Sequence, residues 1–144
     1  MATDGHIERV LKKLRVEEGW RDKPYTDTVG VWTVGYGFNL QAQRMPKEVG
    51  ELWLRMIVDD CEAKCSTFDF WEDLDEAQKA ALINMCYNLG WHTLNKFKRT
   101  LQHIRNKDYE AASRGILASK AARQHKSWGN PRYEHIAEDI KGYA

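Results

Sequence analysis

Residues 77–90 (AQKAALINMCYNLG) constrain the fold of this chain more than any other segment. They predict a helix that is apolar on most faces, with Asp73 and Glu76 resembling a capping box before it and Gly90 as its stop. A surface helix has one apolar stripe, whereas a helix that is apolar nearly all round lies in the interior. The segment therefore predicts a helical lobe built around this helix.

Two longer amphipathic patterns precede the apolar segment. Asp4 is placed to cap a first helix that stops at Gly19, and Pro46 opens a second helix at its first position, about 20 residues and about 30 Å long. Apolar residues keep helical spacing on the first helix at Ile7, Val10, Leu11 and Leu14. An apolar stripe is expected on the second, formed by Val49, Leu52, Trp53, Met56, Ile57 and Cys61. Shorter helices are expected near residues 94–104, 108–118 and 131–142.

Residues 25–38 alternate around Val29–Gly30 like a small antiparallel hairpin, with Asp27 on the first arm and Thr33 on the second. The fold class is therefore expected to be α+β. A chain of 144 residues is expected to form a single domain. Its expected parts are a hairpin lobe at about 19–45, a connecting helix at about 46–65, and a helical lobe at about 66–144 joined by an N-terminal helix at 4–18.

The charges are sorted along the chain although the formal net charge is only +1. Residues 1–90 carry a balance of −5 and residues 91–144 a balance of +6. A basic half attracts anionic polymers, and nucleic acid and bacterial wall material are both of that kind. A solvated surface without a specific partner explains the charge equally well. Because no nucleic-acid-binding motif accompanies the basic residues, no nucleic-acid partner is expected.

The sequence shows no pattern typical of a signal peptide, a membrane-spanning helix or a metal site. The first 14 residues lack an apolar core of a signal peptide, and no run of 18 apolar residues is present. Cys61 and Cys65 lie four apart on a predicted helix, which suits a disulfide poorly, and no neighbouring Cys or His completes a zinc pattern. We expect reduced core thiols, no metal, and synthesis in the cytoplasm.

Residues 17–37 (EEGWRDKPYTDTVGVWTVGYG) place two carboxylates and a hydroxyl on separate elements. Glu18 ends the first helix, Asp27 enters the hairpin, and Thr33 follows just before a pair of glycines. Two carboxyl groups held across a groove are the minimum equipment for general acid–base attack on a glycosidic bond. Spacing alone leaves a structural explanation open, with a helix-terminal Glu, a turn Asp and a strand Thr.

Such chemistry needs one carboxyl group protonated near neutral pH and the other ionised. Burial and the negative end of a helix dipole both raise the pKa of a glutamate, and Glu18, beside Trp20 at a helix end, is placed for both. Asp27, flanked by threonines, is expected in a wetter setting with hydrogen-bond donors. Thr33 is placed to hold a water against it.

The pattern from Glu18-Gly19 through Asp27 to residues 33–37 (TVGYG) resembles the catalytic signature of the bacteriophage lysozymes, or endolysins, of glycoside hydrolase family 24. Residues 80–90 (AALINMCYNLG) resemble the buried helix of the same family. The order of hairpin, connecting helix, core helix and basic helical tail also matches. The resemblance covers nearly the whole chain and implies a lysozyme-like α+β fold.

The resemblance implies a muramidase that cleaves the β-1,4 bond between N-acetylmuramic acid and N-acetylglucosamine in peptidoglycan during phage lysis of a bacterial host. It implies no metal and no cofactor, and inversion at the anomeric carbon. Glu18 is then the general acid, while Asp27 and Thr33 act as base or charge stabiliser and as water positioner. Gly35 and Gly37 support these residues.

Further positions match the family less closely. Four of them correspond to substrate contacts: Tyr87, Asn88, Thr100 and Asn39. Arg132, in residues 128–132 (WGNPR), resembles the arginine that reaches back to the acidic Glu. Many members place a His directly after the last glycine of the hairpin, and here that residue is Phe38. A pair that braces the lobe is then missing, which bears on stability more than on chemistry.

Two alternatives stay open. A lytic transglycosylase uses one Glu and ends in an anhydro sugar, so it has no water to activate, and Asp27 and Thr33 argue against it. A non-catalytic wall-binding module or virion component keeps the fold without the activity, and the intact Glu18, Asp27 and Thr33 argue against that.

The expected partner is bacterial peptidoglycan, approached by a monomer without stable membrane insertion. With no signal peptide or membrane span predicted, the protein is expected to accumulate in the host cytoplasm. It would then reach the wall after a holin, a membrane-permeabilising protein, opens the inner membrane.

Overall fold

Eight α-helices and one three-stranded antiparallel sheet make up the computed structural model, which describes residues 4–143. The elements are α1 (Gly5–Glu18), β1 (Arg21–Thr26), β2 (Trp32–Gly35), β3 (Phe38–Asn39), α2 (Lys47–Cys65), a 3-10 helix (Trp71–Asp73), α3 (Glu76–Leu89), α4 (Trp91–Leu94), α5 (Lys98–Arg105), α6 (Tyr109–Leu117), α7 (Lys120–Ser127) and α8 (Arg132–Ile140). This mixture confirms the predicted α+β class. The chain divides into two units, Met1–Gly50 and Glu51–Ala144, with the division inside α2.

In the first unit, α1 ends as predicted, because Gly19 adopts the left-handed backbone (φ +67°) that stops a helix. The cap predicted for α1 is only partly found: Asp4 is its N-cap residue. The side chain of Asp4 makes no capping hydrogen bond, and no residue of α1 is buried. An apolar stripe is buried only where another element covers it, and within this unit no strand packs extensively along α1.

The predicted hairpin is confirmed. β1 and β2 pair antiparallel, with Tyr25 opposite Thr33, and a tight turn from Asp27 to Val31 joins them. Asp27 lies one residue beyond β1 rather than on the arm itself, because its backbone N–H and C=O already belong to the turn. A third strand that the sequence did not predict, β3, pairs with β2 and places Asn39 opposite Thr33.

The connecting helix α2 begins at Lys47, so Pro46 precedes it rather than filling its first position. The predicted apolar stripe of α2 is buried only in part. Cys61 is buried, as is Cys65 near the C-terminal end, whereas the remaining members of the stripe are exposed: Val49, Leu52, Trp53, Met56 and Ile57. The spacing identified the apolar face of the helix, but only the C-terminal end of that face joins a core.

The second unit is packed around α3, as the apolar segment predicted. Ala81, Leu82, Met85 and Cys86 on this helix are buried in the principal core. The predicted capping box is two residues out of place, because Asp73 belongs to the 3-10 helix. The box is formed instead between Asp75 and Gln78, the Asp75 carboxylate accepting from the Gln78 backbone N–H at 2.9 Å and the Gln78 side chain accepting from the Asp75 N–H at 3.0 Å.

Helix α7 was missed from the sequence. Of its eight residues (KAARQHKS), only Ala122 and His125 are buried, so the sequence has no apolar stripe from which the helix could be predicted. It begins where Ser119 accepts a hydrogen bond from the Ala122 N–H at 3.1 Å. The expected helices near residues 94–104, 108–118 and 131–142 correspond to α5, α6 and α8.

The three cysteines are free and buried in the core of the second unit, as predicted. Burial raises the pKa of Cys61 to about 11, with the neighbouring Cys86 adding to the shift, and burial likewise raises the pKa of Cys65. Because the thiolate is the reactive form, we expect almost no reaction with Ellman's reagent at pH 8 in the native protein. All three thiols should react in guanidinium chloride. Rapid reaction of two or more thiols in the native protein would contradict this packing.

Candidate active site

Glu18 is the last residue of α1, which confirms its position at a helix C-terminus. Its carboxylate lies against the α-carbon of Gly37, where an added Cβ would come within 2.8 Å of the Glu18 Cδ atom. The expected burial of Glu18 is not found, because the residue is exposed. Glu18 therefore stands at the surface of its unit, with one side of its carboxyl group covered by the turn between β2 and β3.

Asp27 holds the hairpin turn together through one carboxylate oxygen. Its Oδ1 atom accepts hydrogen bonds from the backbone N–H groups of Val29 at 2.9 Å and Val31 at 2.8 Å. This is the local bonding that Asp favours in turns. The half-buried side chain is therefore fixed by two donors, and these belong to the backbone rather than to the flanking threonines. Among the described residues, none forms a hydrogen bond with Asp27 Oδ2.

Thr33 lies on β2 and is 5% exposed. Its hydroxyl donates to the carbonyl oxygen of Val31 at 3.0 Å, and the same oxygen accepts the backbone N–H of Asp27 at 2.9 Å. Val31 thus joins the two predicted site residues. Sequence reasoning missed Val31 because it acts entirely through its backbone, and no side-chain signal could have identified it.

The strand β1 separates the two ends of this candidate site. At one end Arg21 pairs with Gly35, close to the turn that contacts Glu18. At the other end Tyr25 pairs with Thr33, beside the turn that Asp27 closes. One small unit therefore holds all three predicted catalytic side chains, with the acid candidate and the water-holding candidates at opposite ends of one strand.

Positions 35 and 37 require glycine, both because of their backbone conformation and because neighbouring side chains leave no room for a Cβ atom. Both have positive φ, +68° and +70°. A Cβ on Gly35 would meet the ring of Phe38 at 2.7 Å, and a Cβ on Gly37 would clash with the Glu18 carboxylate. The two positions let side chains approach the backbone closely. The supporting role of both glycines in catalysis stays a prediction.

If Glu18 is the general acid that the resemblance implies, replacing Gly37 with Ala is expected to lower the turnover of peptidoglycan about 100-fold, because the added methyl group displaces the Glu18 carboxylate. The left-handed backbone should also cost about 1–2 kcal/mol of stability. Gly129→Ala is the matched control, since Gly129 has the same φ of +70° with open space around it. Initial rates on purified walls and chemical unfolding measure both effects. Equal activity of the two variants would contradict the assigned contact.

Asn39, predicted to bind substrate, has a structural task in the first unit. Its Oδ1 atom accepts the backbone N–H groups of Gln41 at 2.9 Å and Ala42 at 3.0 Å, which closes the turn after β3. A role in substrate binding stays a prediction for this residue.

The other predicted contact residues lie in the second unit. Tyr87, at the end of α3, is 43% exposed and lines a groove of about 340 Å³ with Leu54, Val58, Ala80, Ile83 and Asn84. The neighbouring Asn88 accepts a hydrogen bond from the Tyr133 hydroxyl at 2.6 Å. Thr100 is buried with its hydroxyl facing Gly115, which gives it a packing role. The substrate contacts of all three remain predictions.

Arg132 is the first residue of α8, and its backbone N–H donates to the Asn130 side chain at 3.0 Å. Arg132 and Glu18 belong to different units, so the pairing suggested for them remains a prediction. Within residues 4–143 no three His, Cys, Asp or Glu side chains are grouped so that they could hold a metal ion. None of the helices in that range is long and apolar enough to cross a membrane.

A family model described as phage lysozyme matches residues 15–129. The matched span begins in the last turn of α1 and extends beyond α7, so it includes the whole sheet, the core helix and the three candidate residues of the first unit.

Proposed function

The chain belongs to the phage lysozyme family, and from this premise we propose that Glu18, Asp27 and Thr33 are its catalytic residues. Membership makes the chain a peptidoglycan-degrading glycosidase with a lysozyme-like α+β fold. The proposal is more specific: the enzyme hydrolyses the β-1,4 bond between N-acetylmuramic acid and N-acetylglucosamine. The observation that supports the catalytic assignment is the arrangement within one unit of Glu18 at one end of β1 and Asp27, joined to Thr33 through Val31, at the other.

In the proposed reaction Glu18 donates its proton to the oxygen of the departing sugar. Asp27, fixed through Oδ1, uses Oδ2 to take a proton from a water molecule. The Thr33 hydroxyl donates a hydrogen bond to the Val31 carbonyl, so its oxygen is left to accept a hydrogen bond from that water. The water oxygen forms a bond to the anomeric carbon as the bond to the leaving oxygen breaks.

Inversion at the anomeric carbon is the stereochemistry we propose. Inverting enzymes keep their two carboxyl groups about 6.5–9.5 Å apart to leave room for water, whereas retaining enzymes keep them closer. Membership of the phage lysozyme family supports the wider spacing, because the resemblance described above implies inversion. NMR of the first-formed product anomer tests this, with an α-anomer expected. A β-anomer formed first would contradict the proposal.

Mass spectrometry of digested, purified peptidoglycan tests the bond and the reaction type. After borohydride reduction we expect fragments that end in N-acetylmuramitol. Fragments ending in anhydro-N-acetylmuramic acid would indicate a lytic transglycosylase, and a reduced N-acetylglucosamine end would indicate cleavage of the other bond. Cosedimentation with walls without any loss of turbidity would favour the non-catalytic binding module.

We propose further that the enzyme acts as a monomer in phage lysis of the host, made in the host cytoplasm and admitted to the wall by a holin. Membership of the phage lysozyme family supports this order of events. Expression with and without a membrane-permeabilising protein tests it, with lysis expected only in the first case. Secretion of the protein expressed alone, without lysis, would contradict it.

A further inference from the structure

Three aromatic rings form a continuous surface on the first unit. The ring centroids of Trp20 and Tyr36 are 5.0 Å apart, and those of Tyr36 and Phe38 are 6.4 Å apart with the rings edge to face. Trp20 is 62% exposed and Phe38 is 49% exposed. The rings therefore support one another while the two outer ones present much of their area to solvent.

The backbone beneath the rings fixes their position. Gly35 has no side chain, and both the Phe38 ring and the Trp20 ring lie over its α-carbon, with a Cβ there meeting Phe38 at 2.7 Å and Trp20 at 3.4 Å. The strands β1 and β2 pair at this point through Arg21 and Gly35. A surface held in place in this way loses little conformational freedom when it binds a ligand.

The aromatic surface is continuous with the proposed general acid. Trp20 lies two residues after Glu18 in the chain, and Phe38 directly follows Gly37, whose α-carbon contacts the Glu18 carboxylate. A ligand that presents a bond to Glu18 therefore has apolar rings close by in this unit.

We propose that Trp20, Tyr36 and Phe38 form a sugar-stacking subsite, which takes one pyranose ring of the glycan strand beside the bond that Glu18 protonates. The inference rests on the proposed function, because it is Glu18 that fixes where the glycan lies. A pyranose ring in the β-1,4 series presents a face of C–H groups, which matches the electron-rich face of an aromatic ring. The three rings carry no charge to pair with the ionised groups of a peptide stem.

The subsite assigns Phe38 a binding task. Members with a His at this position have an ionisable side chain there, whereas Phe38 extends the apolar surface begun by Trp20 and Tyr36. An apolar ring that only stacks on a sugar contributes the same binding free energy to the substrate complex and to the transition state. Its loss should therefore raise KM while leaving kcat nearly unchanged.

The binding test uses Glu18→Gln protein, so that the glycan is not cut, with and without Trp20→Ala and Phe38→Ala together. The probe is peptidoglycan glycan strands freed of stem peptides by an amidase, with free stem peptide as a second probe. We expect the Kd for glycan strands to rise about tenfold in the Ala variant, with no measurable binding of free stem peptide. Trp128→Ala, which removes an exposed Trp from the second unit, should leave the Kd unchanged.

Two conservative changes guard against loss of the fold. Trp20→Phe and Phe38→Tyr keep a ring at each position and should bind the strands within about threefold of the parent. An unchanged Kd in the Ala variant would overturn the proposal. So would failure of the Glu18→Gln protein to bind peptide-free strands, or a loss of affinity seen only for strands that carry stem peptides.

Kinetics in the active protein separate this inference from the proposed function. We expect the two Ala changes to raise KM for walls about tenfold with kcat within about twofold of the parent. If Glu18→Gln abolishes turnover while the aromatic variants keep the parent KM, the subsite is wrong and the catalytic assignment stands. If Glu18→Gln retains turnover, the catalytic assignment itself is wrong.

Discussion

Replacing Glu18 with Gln is expected to lower the turnover of purified peptidoglycan about 10³-fold without unfolding the protein. The amide has nearly the shape of the carboxyl group and keeps the contact with Gly37, but it has no acidic proton to give to the departing sugar. Because Glu18 is exposed at the end of α1, the change should leave the thermal midpoint within a few degrees of the parent.

Glu17→Gln is the matched control for this experiment. Glu17 is the preceding residue of the same helix and is also exposed, so its replacement removes the same charge from the same surface. Initial rates of turbidity loss and of reducing-end release should show Glu17→Gln close to the parent. Equal loss of activity in both variants would mean that local charge, rather than proton donation by Glu18, controls the rate.

Two substitutions of Asp27 are expected to separate its chemical task from its structural one. In Asp27→Asn the side-chain oxygen remains to accept the N–H groups of Val29 and Val31, so the turn should persist. The charge that receives the proton of the water is lost, and turnover should fall about 10²–10³-fold. In Asp27→Ala both hydrogen bonds are lost as well, which should cost about 2 kcal/mol of unfolding free energy in addition.

Rates on purified walls and urea unfolding of both variants test this separation. Asp22→Asn, at an exposed carboxylate on β1, provides the control and should match the parent in both measurements. Full activity in Asp27→Asn would reduce Asp27 to a residue that closes a turn. An equal loss of stability in the Asn and Ala variants would show that an amide oxygen does not keep the two hydrogen bonds from Val29 and Val31, which would contradict the expected separation.

The parts of the fold that the sequence predicted well are those in which local pattern and environment agree. Residues 77–90 are apolar on most faces, and the helix they form lies in the core of its unit. The hairpin around Val29–Gly30 was predictable because alternation, turn residues and a tight Asp27 turn all favour one register.

The predictions that were wrong or incomplete concern features that depend on which element packs against a helix face, or on local structure a few residues away. The apolar spacing of α1 and α2 identified one face of each helix, but it contained no information about which element packs on that face. The capping box moved from Asp73 to Asp75 because a 3-10 helix takes up Asp73. Helix α7 has almost no apolar stripe to predict it.

For the candidate site, side-chain chemistry was predictable and backbone chemistry was not. Glu18 was placed correctly by Gly19, which ends its helix. The connection between Asp27 and Thr33 passes through the backbone of Val31, which any residue type could supply. The packing of Phe38 and Trp20 over Gly35 could not be predicted from the sequence either, because it depends on how the strands pair rather than on residue spacing.

The central claim is that Glu18 and the Asp27–Thr33 pair act on the two sides of one glycosidic bond. A crystal structure of the Glu18→Gln protein with a bound glycan strand tests it most directly. We expect the bridging oxygen of one N-acetylmuramic acid unit within hydrogen-bond distance of the residue 18 amide, and a water held by Asp27 and Thr33 on the opposite face of that sugar. A glycan bound with its bridging oxygens away from residue 18, or with no room for water beside Asp27, would contradict the account.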